Sequence, residues 1–154
     1  MEVRAAAAAD VEALVSLHCA YLREEGRPAS ADGARAAFTT LLANAALGAV
    51  FVAAEPAAEP VAHVVVTFGF SIESGGRDAS VDELFVAPSH RGQRLGDRLM
   101  AEAERHCRAS RVAMLHLEVG ETRHGARALF RRAGFVDAGR SRMTKALGNG
   151  RGAA

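Results

Sequence analysis

The stretch "HRGQRLGDRL" (residues 90–99) sets Gly92, Gly96 and three arginines between a β-branched run and a helical one. The backbone N–H groups of a first helical turn have no intrahelical partner. The helix dipole adds about half a positive charge there. Glycine lacks a Cβ, so at Gly92 and Gly96 a ligand can come close to the backbone. Such a turn is an anion cradle best suited to a phosphate, with Arg91 and Arg94 placed to add charge-assisted contacts. The same residues also read as a capped helix start with surface arginines, and the turn alone leaves both open. Neither the Walker pattern, which needs GxxxxGK followed by Ser or Thr, nor the dinucleotide pattern GxGxxG is present. Just upstream, "DELFV" (82–86) places two carboxylates side by side. Period-2 alternation puts Asp82, Leu84 and Val86 on one face of a strand and Glu83 and Phe85 on the other.

These residues need elements to position them. "EVRAA" (2–6) reads as a first strand. Asp10 offers an N-cap or first-turn acid to a helix over 10–25, where Val11, Leu14, Val15, His18 and Leu22 recur at helical spacing. Ser30 or Asp32 caps a second helix carrying Phe38, Leu41 and Leu42, which ends near Asn44 and Gly48. The period then changes to strands over 49–55, 61–73 and 80–87, with turns at "EPAAEP" and "SGGRD". A helix over 94–109 turns Leu95, Leu99, Met100 and Ala103 inward. A strand follows over 111–119, then a helix over 123–135 with Gly134 at the C′ position glycine favours. "FVDAGR" (135–140) and "RMTKAL" (142–147) read as closing strands. The order is β-α-α-β-β-β-α-β-α-β-β, an α+β fold with a mixed, mostly antiparallel central sheet flanked by helices. We expect one domain over 1–147 and a loose tail over 148–154.

Composition narrows the function. The chain has 154 residues, 49% of them hydrophobic, which suits one domain with its own core. No apolar run approaches the ~20 residues of a membrane span. The start lacks the basic-then-apolar order of a signal peptide, so a cytoplasmic protein is expected. The net charge of +1 gives no global field toward nucleic acid or membrane. The arginines of the helix at 94–109 are interrupted by Asp97, Glu102 and Glu104, with no aromatic stacking platform, which argues against nucleic acid. The two cysteines, Cys19 and Cys107, form no CxxC pair. The six histidines never fall at ligand spacing with a convincing partner, so no metal is expected.

With both motifs in view, "DELFVAPSHRGQRLGDRLMAEAE" resembles the acetyl-CoA motif of the GNAT N-acetyltransferase superfamily: a strand, then Arg/Gln-x-x-Gly-x-Gly/Ala, then a helix. Arg91, Gly92, Gln93, Arg94, Leu95 and Gly96 fill it in order, with Arg94 where a glycine usually stands. "LEVGETRHGARALFRRAGF" (117–135) resembles the superfamily's second segment, and the resemblance covers nearly the whole chain. It implies that the pyrophosphate of acetyl-CoA lies on the amides of residues 91–97, Asp97 included. It implies that the pantetheine runs beside Leu84, Phe85 and Val86, between strands splayed by a bulge.

The implied activity is transfer of an acetyl group to a primary amine, of a small cationic or amino-acid-like molecule, by direct attack in a ternary complex. Asp82 is the favoured water-mediated base or amine anchor, Glu83 the second, and Glu118 a third. The tyrosine that usually serves as acid is replaced by Phe130, and the usual asparagine by Arg123, which can reach a phosphate or a substrate carboxylate. Tyr21, Glu24 and Glu25 can line the acceptor mouth. The alternatives are acetylation of protein N-termini or side chains, and a non-catalytic acetyl-CoA-binding module. An edge strand near the C-terminus can pair with a second copy to give a homodimer.

Overall fold

The computed structural model describes residues 1–148. One five-stranded sheet runs in the order β1 (Glu2–Ala5), β2 (Gly48–Ala54), β3 (Ala62–Ser71), β4 (Gly76–Val86), β5 (Met114–Leu117). The first three pairings are antiparallel and β4–β5 is parallel. That parallel step requires a crossover, which α3 (Leu95–Ala109) supplies. Helices α1 (Val11–Glu24) and α2 (Ala31–Ala43) cover one face; α3 and α4 (His124–Arg132) cover the other.

Two cores result. Val50, Val52 and Val65 meet Leu14, Val15 and Phe38 on the first face. Val64, Val66, Ala79 and Val81 meet Leu95, Leu99, Met100 and Phe130 on the second. Ser30 caps α2 by accepting from the Gly33 N–H (3.1 Å), which decides between the two expected caps. Asp10 stands at the N-cap position of α1, but its carboxylate turns to Arg4 (2.8 and 2.9 Å) and to the Ala7 N–H (2.7 Å), tying β1 to α1.

The elements follow the expected order through α4, in an α+β sheet flanked by helices. β4 starts earlier than its apolar residues indicate, because Gly76–Ser80 pair with Thr67–Ser71 across the hairpin. The two closing strands expected over 135–140 and 142–147 do not form among the described residues. The Asp137 carboxylate accepts from the Gly139 N–H (2.9 Å) and Gly139 has φ +65°, so a turn breaks the first of them. In the second, Met143 and Leu147 are 95% and 79% exposed and pack into neither core. Ion pairs Arg140–Glu73 (3.2 Å) and Arg142–Glu118 (2.9 Å) hold this segment to the sheet end instead. The tail expected over 148–154 lies, beyond Gly148, outside the described residues.

Candidate active site

The site begins with one extra residue. Val65 pairs with Glu83 but Val66 pairs with Val81, so Asp82 has no partner on β3 and forms a β-bulge. The bulge reverses the alternation of β4. Before it, Ala79 and Val81 face the α3 core; after it, Leu84 and Val86 do. Glu83 and Phe85 therefore turn to the α1 face, where Phe85 meets Tyr21 at 6.1 Å between ring centres.

The parallel pairing with β5 stops at the same place. Its last pair is Val81 with Leu117, so Asp82–Val86 continue with no strand on the β5 side. This splay is what the resemblance implies, and it leaves a backbone edge open to a ligand that can hydrogen-bond like a strand.

At the far end of that edge lies the cradle. The N–H groups of residues 92–97 have no hydrogen-bond partner among the described residues. Gly92 has φ +77° and Arg94 has φ +57°, which curl the loop into the first turn of α3. Gly92 is open: a Cβ there would meet nothing within 4 Å. Its conformation, which L side chains rarely adopt, is what demands glycine.

Gly96 has another reason. A Cβ there would lie 2.5 Å from Leu129 Cδ1, so its bare backbone admits α4 rather than a ligand. The expectation that both glycines open the backbone to the donor is corrected at this position. Gln93 and Arg94 are exposed, and Leu95 is buried in the core. Asp97 pairs with Arg132 (3.0 Å).

The arginines are more committed than the sequence suggested. Arg91 donates to the Val86 carbonyl (3.0 Å) and to both Glu24 oxygens (2.8 and 2.9 Å), and its guanidinium lies 5.6 Å from the Phe85 ring centre. Arg123 pairs with Glu25 at 3.1 Å. Together these pairs fasten the C-terminal end of α1 to the loops that begin α3 and α4. Phe130 packs edge-to-face against Phe135 in the core.

The other end of this stretch of β4 is built from side chains. Glu83 is buried, and both its oxygens are occupied: Oε1 by His63 Nε2 (2.6 Å), Oε2 by His18 Nδ1 (2.7 Å). Burial pushes its carboxyl up, but the hydrogen bonds from His18 and His63 outweigh that and hold it below the usual carboxylate range. Asp82 remains exposed. The surrounding protein, and then the Glu83 charge, push its carboxyl up, against Arg142, His18 and Arg27. The hydrogen bond to Glu83 raises the His18 imidazole, with burial opposing it and Asp82 adding to it.

Sequence reasoning missed His18 and His63 as partners of Glu83. The available signal was a histidine within each apolar pattern, since a polar group on a core face must find a partner. Glu118 is drawn off to Arg142. Among the described residues no group of three or more His, Cys, Asp or Glu could hold a metal ion, and no helix is long and apolar enough to cross a membrane. A hollow of about 450 Å³ between Ala6–Ala8, α1 and α2 is lined by none of Asp82, Glu83, His18 or His63.

An integron cassette protein from the mobile metagenome of Cole Harbour Salt Marsh superposes with a TM-score of 0.83 at 35% identity, over 94% of this chain and 90% of that one. A predicted acetyltransferase from Clostridium acetobutylicum, solved with acetyl-CoA, superposes at 0.80 with 18% identity, over 94% and 95% of the two chains, and so shares the fold. An "IAA acetyltransferase" of Azospirillum brasilense is 36% identical over 76 residues; the match spans 49% of this chain and 50% of that protein. The model of the acetyltransferase (GNAT) family matches residues 12–135. With bulge, splayed strands and amide cradle in the expected places, the chain belongs to the GNAT acetyltransferase family.

Proposed function

We propose that this protein transfers the acetyl group of acetyl-CoA to a primary amine of a small cationic or amino-acid-like molecule, by direct attack while both are bound. One observation carries the reading: a β4 edge (82–86) that β5 does not pair is followed, after residues 87–91, by the partnerless amides of 92–97, and two carboxylates stand at the end away from the cradle. A pantetheine satisfies the edge and a pyrophosphate satisfies the amides. Leu84, Phe85 and Val86 offer the donor their backbone; Gly92 through Asp97 hold its phosphates. Arg91 and Arg123 shape the mouth from their pairs with Glu24 and Glu25. The thioester then falls beside the bulge, where Asp82 anchors the ammonium form of the acceptor. An amide freed by the splay can donate to the oxyanion.

Phe130 has no hydroxyl to protonate the departing thiolate, and it favours a second reading: a non-catalytic module that holds acetyl-CoA. The two separate on free-thiol release from acetyl-CoA with a panel of amines (propylamine, spermidine, phenethylamine, amino acids and an N-terminal peptide). Release that depends on a small amine supports the first reading. Tight acetyl-CoA binding without release supports the second, and release with the peptide alone makes the acceptor a protein.

A further inference from the structure

Three groups meet at the acceptor end of β4, and only two of them, Asp82 and Glu83, have a part in the reading above. The third comes from α1. His18 donates Nδ1–H to Glu83 Oε2 (2.7 Å). Its Nε2 has no hydrogen-bond partner among the described residues, and its side chain is 24% exposed. Its ring is fixed edge-on against Phe38. One turn further along α1, Tyr21 rests on Phe85, so this helix face lies along the stretch of β4 that the splay leaves open.

Glu83 cannot easily take a proton itself, since both oxygens already accept hydrogen bonds inside the protein. The second of these comes from His63, which is fully buried and whose Nδ1 has no partner. A proton on that nitrogen would be buried without an acceptor, so His63 acts as a fixed donor to Glu83. Of the two histidines on Glu83, His18 alone has a partly exposed side chain and a second nitrogen that no described group occupies. A carboxylate that orients an imidazole and stabilises its protonated form is a known way to make a proton acceptor.

Building on the amine-acetylation reading, we propose that His18 Nε2, oriented by Glu83, accepts the proton that the attacking amine gives up. The amine nitrogen forms a bond to the thioester carbonyl carbon. The C–S bond breaks with its electron pair passing to sulfur. The bound ammonium first gives one proton to His18, directly or through one water, which His18 releases to solvent; the second proton, lost from nitrogen once the C–N bond has formed, goes by the same route to the CoA thiolate. No further reactant is needed. Glu83 and His63 are positioning residues in this scheme, and Asp82 holds the acceptor. The charged or titratable groups facing His18 are Glu83 and Asp82 from β4, His63 from β3 behind Glu83, and Arg27 from the loop after α1.

The test compares pH profiles of kcat/KM for the wild type, His18→Gln, Glu83→Gln and Asp82→Asn, using the best amine of the panel. Acetyl-CoA affinity serves as the check that each variant is folded. The wild type should show a rising limb with its midpoint above the ordinary histidine value of 6.5. His18→Gln should lower kcat at neutral pH by about a hundredfold or more and remove that limb. Glu83→Gln should move the limb to lower pH, and Asp82→Asn should raise KM while keeping it. Nitrogen-detected NMR of the His18 ring gives a readout without turnover: its titration should fall in Glu83→Gln. A limb kept in His18→Gln, a limb lost in Asp82→Asn, or a His18 titration unmoved by Glu83→Gln overturns the proposal alone. A wild type that releases no thiol with any amine overturns the amine reading and this proposal together.

Discussion

The two ends of β4 are made differently. The end proposed to hold the donor is built from backbone: the partnerless amides of 92–97 and a strand edge that β5 leaves unpaired. The end proposed to hold the acceptor is built from side chains contributed by three elements, with Glu83 of β4 held between His63 of β3 and His18 of α1. Backbone groups are common to all residues, so the donor end tolerates substitution wherever the φ angles survive. The acceptor end depends on particular hydrogen-bonding groups, and losing one strands another in a buried place.

The sharpest way to break this comparison is His63→Phe, which keeps a ring in the core but removes a donor to the buried Glu83 carboxylate. It should lower unfolding free energy by about 2–4 kcal/mol, measured by urea denaturation. Adding Glu83→Leu should recover part of the loss, because no buried charge is then left short of a partner. An unchanged midpoint for His63→Phe would mean the acceptor end is not held together as described.

Next in size is a pair of glycine substitutions. Gly92→Val forces a β-branched residue to φ +77° at the cradle. Acetyl-CoA affinity by calorimetry should fall about tenfold or more, equivalent to about 1.4 kcal/mol. Gly96→Ala should leave that affinity within about twofold and cost roughly 1 kcal/mol of stability, as Leu129 gives way to the new Cβ. Equal affinity losses at both positions would make Gly96 part of the binding surface after all.

The smallest effect belongs to Arg94→Gly. Arg94 sits at φ +57°, where a residue with a Cβ is strained by about 1 kcal/mol. The substitution should leave stability equal or up to about 0.5 kcal/mol higher, since a gain in conformational ease is offset by the freer unfolded chain. Acetyl-CoA affinity should hold if only the backbone at 94 matters, and calorimetry at two salt concentrations would expose any guanidinium contribution.

The contrast between the two ends also explains what could be read before the fold was known. A cradle is local: Arg91 through Asp97 are consecutive, and the need for a left-handed turn and a helix start shows in residue types a few positions apart. The core faces of α1, α3 and α4 were legible for the same reason, since Leu14, Leu99 and Phe130 recur at helical spacing. The bulge was not legible in residue types. "SVDELFV" sets two acids before three apolar residues, which does not say where an extra residue lies, and only the pairing with β3 shows that it is Asp82. The closing strands expected over 135–140 and 142–147 rested on apolar residues that make a strand only where a neighbour is available to pair with it.

What the sequence determined by itself was the order of elements through α4, the amide cradle and the presence of two adjacent carboxylates, all fixed by interactions between residues close along the chain. What the tertiary structure decided was which carboxylate is free. His63 lies 20 positions from Glu83, and His18 lies 65. Only when β3 pairs with β4 and α1 closes over them do both imidazoles reach one carboxylate, burying Glu83 and leaving Asp82 in solvent. Hydrogen bonds act over about 3 Å, and separation along the chain does not show which groups will come that close.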